Sequence, residues 1–140
     1  MTDLLVVTDS EAVFDEVRSA VGEPGVTLRW ARSGRDVLPS LQQWAADLVV
    51  ADLQTGSMGA LAVAMELTLE SAAGRVDPVP TLVLLDRRAD VFLARRTGVA
   101  GWLLKPLDPL RTRAAVTAVL AGQRYEDPTF APSPADVLPA

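Results

Sequence analysis

The stretch GVAGWLLKPLDP, residues 98–109, packs a helix stop, a strand, a charged residue and a helix start into one short run. Gly98 ends whatever helix precedes it. Gly101-Trp102-Leu103-Leu104 is a short apolar strand with no polar alternation, as a strand buried on both faces requires. Asp108 is a helix cap, followed by Pro109 at the first helical position, where a missing N–H does no harm. Between strand and helix stands Lys105-Pro106. Lys105 is the single lysine of the chain, against 12 arginines, and Ile and Asn are absent. All three residue types have AT-rich codons, so a high-GC genome accounts for their scarcity. A lysine that persists against that bias marks a place where a planar guanidinium cannot replace a compact ammonium.

Outward from this stretch the same unit repeats. Leu4–Val7 is an apolar strand ending in Thr8-Asp9-Ser10, followed by a helical face of Ala12, Val13, Val17, Ala20 and Val21 that Gly22 stops. Val26, Leu28 and Trp30 alternate with polar residues, as in a half-exposed strand. Ser33 to Asp36 resembles a capping box, and Pro39 places the start of the regular helix near Asp36. Leu48–Ala51 is a strand ending at Asp52, with a loop over 54–59 and a helix over 60–70. Thr81–Leu85 is the fourth strand, and a short helix spans about 89–97. Five β/α units in series predict a three-layer α/β/α sandwich, flavodoxin-like, on a five-stranded parallel sheet of order 2-1-3-4-5. The domain is expected over 1–122. Residues 123–140 hold four of the 10 prolines and read as an extended C-terminal tail, with no room for an output domain after Gly122.

Composition narrows the chemistry. Cys and His are both absent, which removes thiolate nucleophiles, the commonest general base and the commonest metal ligand. A net charge of −5 disfavours nucleic acid as a partner. No apolar run is long enough to span a bilayer, so direct membrane insertion is not expected.

In a doubly wound sheet the functional crevice lies at the carboxyl ends of the strands. Asp9, Asp52 and Lys105 sit at three such ends. Two carboxylates there would repel unless a hard cation such as Mg²⁺ relieved them, and a lysine would neutralise a phosphoryl oxygen on an aspartyl nucleophile. The alternative is that Lys105 and Asp52 form a salt bridge that only stabilises the fold.

These residues carry a resemblance. LLVVTDS (4–10), DLVVADLQTGSMG (47–59) and GVAGWLLKPLDP (98–109) together resemble the receiver domain of bacterial two-component response regulators, over roughly residues 3–121. The resemblance implies a phosphoacceptor at Asp52, Mg²⁺ held by Asp9, Asp52 and the Gln54 backbone carbonyl, a phosphoryl contact from Lys105, and a cis Lys105-Pro106 peptide. It also shows departures. Thr8 replaces one of two acids, which weakens the Mg²⁺ site. Leu85 replaces the hydroxyl residue that ends strand four, with Asp86 next where a small residue is usual. Trp102 replaces the usual Tyr or Phe. Leu85 and Trp102 are therefore degenerate switch positions. A partner surface is expected from Arg95, Arg96, Trp102, Tyr125 and Phe130, within a basic cluster that includes Arg87 and Arg88.

Three functions follow as expectations. The first is a stand-alone atypical receiver, not an enzyme, cytoplasmic, binding a larger protein. The second is a regulator phosphorylated at Asp52 by a histidine kinase. The third is a small flavodoxin-like ligand binder, disfavoured because the acidic loop Thr8-Asp9-Ser10-Glu11 would repel a phosphate. A narrower resemblance, to the single-domain orphan receivers of actinobacteria, implies respiratory complex I as a candidate partner, since one mycobacterial member accompanies it. That partner would place the chain at the periphery of a membrane complex. No motif carries this last step.

Overall fold

The computed structural model describes residues 1–52 and 59–130. Strands β1 (Thr2–Val7), β2 (Val26–Ala31), β3 (Leu48–Asp52), β4 (Thr81–Leu85) and β5 (Gly101–Leu104) alternate with helices α1 (Glu11–Val21), α2 (Val37–Gln43), α3 (Ala60–Ala72), α4 (Asp90–Arg96) and α5 (Pro109–Leu120). A sixth strand, β6 (Tyr125–Glu126), follows α5. The sheet is parallel throughout, in the order β2-β1-β3-β4-β5-β6.

Apolar runs without alternation produce this sheet because both of its faces are covered. Every residue of β3, β4 and β5 is buried. On one face Leu5, Val7, Val49, Val83, Leu85 and Trp102 pack against Val37 of α2, Val63 and Leu67 of α3, and Val91 of α4. On the other, Leu4, Val6, Val50, Leu82, Leu84 and Leu103 pack against Phe14 and Val17 of α1 and Ala115, Val116 and Val119 of α5. Each fully buried Leu contributes about 1.5–3 kcal/mol of burial free energy.

Local signals place the helix ends. The Asp108 carboxylate accepts from the Leu110 and Arg111 amides at 2.7 and 3.1 Å, with Pro109 in the first turn. Ser10 caps α1 by accepting from Val13 N at 3.3 Å. Ser33 makes no cap bond to the backbone; a 3-10 turn over Gly34–Asp36 leads into α2, which starts at Val37 with Pro39 in its first turn.

The expected five strands become six, and the tail is the reason. Residues 131–140 lie outside the described residues, but 125–130 are built into the domain. Tyr125 N donates to Ala100 O at 3.1 Å, and Tyr125 and Glu126 pair with Gly101 and Trp102. Gly101 makes room for this strand: a Cβ there would lie 2.7 Å from Tyr125 O. Asp127, 3% exposed, then anchors the segment. Its carboxylate accepts from Leu104 N at 2.8 Å, from Arg111 Nη1 at 2.5 Å, and from Thr129 N and Oγ1 at 2.8 and 2.7 Å. A two-residue strand before Asp-Pro has no periodicity of its own, so the sequence pattern reads it as part of an extended tail.

Candidate functional site

Asp52 ends β3 and is 2% exposed. A buried carboxylate needs donors on its oxygens, and two side chains from other strand ends supply them. Lys105 Nζ donates to Asp52 Oδ1 at 2.7 Å. Thr8 Oγ1, at the end of β1, donates to Asp52 Oδ2 at 2.9 Å. Thr8 is itself fully buried and doubly fixed: its hydroxyl accepts from Ser10 N at 3.1 Å and its carbonyl from Trp30 Nε1 at 2.7 Å.

Lys105 is held by backbone as well as by charge. Its N–H donates to Leu85 O at 2.8 Å, and the Lys105-Pro106 peptide is cis, as the resemblance implies. Its ammonium also donates to Asp86 Oδ1 at 3.1 Å. Burial, the largest single influence, would lower the Lys105 pKa. The hydrogen bonds and charges of Asp52 and then Asp86 outweigh it, and the net shift is upward. Lys105 is thus a firmly charged ammonium forked between two carboxylates.

Asp9, the other expected acid, is exposed. Gln54 lies outside the described residues. Among the described residues no group of three or more His, Cys, Asp or Glu side chains is placed to hold a metal ion. Each Asp52 oxygen already accepts one donor, and a cation on a remaining lone pair would meet the charge of the Lys105 ammonium. With Thr8 where a second acid would stand, the described side chains make a poor Mg²⁺ site.

Leu85 and Trp102 are both fully buried. Trp102 was expected on the partner surface and is not there. Its ring packs in the core, covered edge-on by Phe130 at a centroid distance of 5.6 Å, and Arg95 lies 5.8 Å over it. Its buried indole N–H makes no close hydrogen bond among the described residues, and it helps to hold the Glu126 carboxyl below its ordinary pKa. Glu126, the cross-strand neighbour of Trp102, pairs with Arg95 at 3.0 Å. Tyr125 and Phe130 are half-buried, each packed against one face of the core. The basic cluster is largely paired within the chain: Arg87 with Asp90, Arg95 with Glu126, and Arg88 4.9 Å over the Phe130 ring. Arg96 is exposed.

Sequence reasoning passed over Asp86, Arg111 and Asp127 as site or anchor residues. Asp86 was legible as an acid directly after a strand end. Asp127 carried no signal, since its partners come from β5, α5 and the residue two places on.

A parallel sheet with an aspartate, a lysine and a cis Lys-Pro step at its carboxyl edge defines the CheY-like receiver fold of response regulators, and this chain has it. The solved structures agree. The chain is similar to a LuxR-family two-component response regulator from Aurantimonas, with a TM-score of 0.78 and 22% identity over 92% of each chain. It is also similar to the receiver domain of a signal transduction histidine kinase from Syntrophus aciditrophicus, with a TM-score of 0.74 and 22% identity over 87% of this chain and 92% of that one. Vibrio cholerae chemotaxis protein CheY4 matches with a TM-score of 0.69 and 21% identity over 86% and 98%. Among curated proteins, Protein PilH of Pseudomonas aeruginosa is 25% identical over 122 residues, covering 87% of this chain and all of that protein. No protein-family model matches the chain.

Proposed function

We propose that this chain is an atypical receiver that acts as a regulatory or accessory subunit by binding a larger protein, with a degenerate aspartate site and no enzymatic activity of its own. The observation that carries this reading is the engagement of Asp52 within the chain, where Lys105 donates to one carboxylate oxygen and Thr8, standing where an acid would be, donates to the other. Leu85 adds to it, because a leucine has no hydroxyl to offer an incoming phosphoryl group. Function then rests on a presented surface rather than on turnover. The part of the expected surface that stays accessible around α4 is Arg95 and Arg96 with Phe130 beside Arg95, while Tyr125 packs on the opposite face of the sheet. Leu93, half-exposed at 50%, lies on the same helix.

The test is the native mass of the assembly recovered with the full chain under mild extraction. A discrete complex much larger than the chain, weakened by Arg96→Glu, is the expected result. A complex I preparation that assembles and works identically without the chain removes that candidate partner and leaves the protein-binding reading open to others. No helix among the described residues is long and apolar enough to cross a membrane.

A second reading keeps one observation in its favour: Asp52 and Lys105 do meet at 2.7 Å. In it a histidine kinase phosphorylates Asp52, and Mg²⁺ binds weakly. Rapid, stoichiometric, Mg²⁺-dependent labelling that Asp52→Asn abolishes would establish it over the first.

A further inference from the structure

Lys105 is shared, and the second carboxylate sharing it lies outside every role so far described. Asp86 follows β4 directly, and its Oδ1 accepts from the ammonium at 3.1 Å while Asp52 Oδ1 accepts at 2.7 Å. The three side chains differ in depth: Asp52 is 3% exposed, Lys105 20% and Asp86 29%. Asp86 therefore lies on the solvent side of the ammonium, where an anion arriving from water would have to engage it. Arg87 pairs with Asp90 at 3.0 Å and meets Asp86 only through the weakest of its charge interactions.

We propose that Asp86 is a positioning residue that closes the acceptor pocket: it holds Lys105 in an Asp52–Lys105–Asp86 ion triad, so that the ammonium serves as the internal cation of the site and is withheld from an external phosphoryl-type oxyanion. The proposal deepens the degenerate-site reading and rests on it. Its physics is competition. An oxyanion at Asp52 must take the ammonium from a tethered carboxylate, and must approach that carboxylate's own negative charge. At this partly buried site the two together oppose binding on the scale of one ion-pair contact, about tenfold in affinity.

The sequence supplies a clean reporter. Lys105 is the chain's only lysine, so protein labelled with ¹³C-lysine gives one side-chain signal. The full chain is compared as wild type, Asp86→Ala and Asp86→Asn, and each is also made with Lys105→Met. Uptake of beryllofluoride in millimolar Mg²⁺ is followed by ¹⁹F resonance, and near-ultraviolet circular dichroism confirms folding of every variant. The expected result is uptake about tenfold tighter in both Asp86 variants than in wild type, with the gain lost when Lys105 is also replaced. The Lys105 ¹³C side-chain signal should also shift on beryllofluoride addition in the Asp86 variants and much less in wild type, a response that a merely structural ion pair would not change. If Lys105→Met fails to fold, that ligand-induced shift still decides the matter. Unchanged uptake in the Asp86 variants, an unchanged Lys105 response to beryllofluoride, or a gain that persists without Lys105 overturns the proposal. Tight uptake by the wild type would instead overturn the degenerate-site reading, while the ratio between Asp86→Ala and wild type would still judge Asp86.

Discussion

Asp127→Ala tests whether the segment after α5 belongs to the fold. The carboxylate serves four donors, and their fates differ. Leu104 N lies in the buried strand β5 and loses its acceptor, a loss of roughly 1–3 kcal/mol for a buried group left unpaired. Arg111 is 20% exposed and keeps a bond to Pro106 O at 3.0 Å, so it falls well short of the roughly 3–5 kcal/mol of a fully stranded charge. Thr129 is exposed and its groups turn to water at little cost. The sum is about 3 kcal/mol, a large share of a domain's usual stability of about 5–15 kcal/mol. Asp127→Asn keeps an acceptor for Leu104 N and loses only the charge, so it should cost about 1–2 kcal/mol. Urea unfolding followed by tryptophan fluorescence measures both, because Trp102 lies under the segment. Hydrogen exchange at Tyr125 should quicken in the alanine variant well before the rest of the sheet. If Asp127→Ala costs under about 1 kcal/mol, as ordinary surface changes do, the segment is an appendage and the reasoning is wrong.

Three further outcomes follow from the same geometry. Gly101→Ala drives a Cβ to 2.7 Å from Tyr125 O and 3.2 Å from Leu82 Cδ1, so it should cost about 1–3 kcal/mol by overpacking and release β6, read as lost protection of the Tyr125 amide. Thr8→Val removes both the donor to Asp52 and the acceptor for Ser10 N, and should cost about 1–2 kcal/mol in the same denaturation assay. Glu126 sits below its ordinary 4.5, first because Arg95 donates to it, against some opposition from burial. Its contribution is present above that ordinary value and is lost as pH falls through the lowered one. The effect on stability is small, because Arg95 and Glu126 are 41% and 40% exposed. A carboxyl-carbon titration should show the lowered midpoint, and Arg95→Ala should bring it back up.

What the sequence revealed and what it hid divide along a physical line. Local devices were legible: the Asp108–Pro109 helix start, the Gly22 stop, the position of Pro39 and the unbroken apolar runs of β3 and β4. The convergence of Asp52 and Lys105 was legible too, because topology alone brings strand ends together. Contacts between a strand end and a distant segment were not. The place of Trp102 depended on residues 125–130, which had the composition of a solvated strap. Proline and polarity argue for such a strap only when nothing anchors it, and one buried aspartate with four donors reverses the balance. Thr8 shows the same limit at the pocket. Its type announced a missing acid, but the hydroxyl's bond to Asp52 depends on three-dimensional placement.

The two departures, at the pocket and at the far face, have one consequence when taken together. A ligand shifts a conformational equilibrium only by the difference in its affinity for the two states, and moving a population from 1:99 to 99:1 needs about 5.5 kcal/mol of difference. At the pocket, the groups that would distinguish the two states are engaged within the chain: Lys105 with Asp52 and Asp86, and Thr8 with Asp52. Leu85 has no hydroxyl to contribute. At the far end, Trp102 is fully buried beneath Phe130 and flanked by β6, so an inward or outward swing would have to displace a segment anchored by Asp127. The missing hydroxyl at one end and the pinned indole at the other both reduce the leverage of chemistry at Asp52. The physical expectation is one dominant conformation, in which the surface around α4 is presented constantly whatever the chemical state of Asp52.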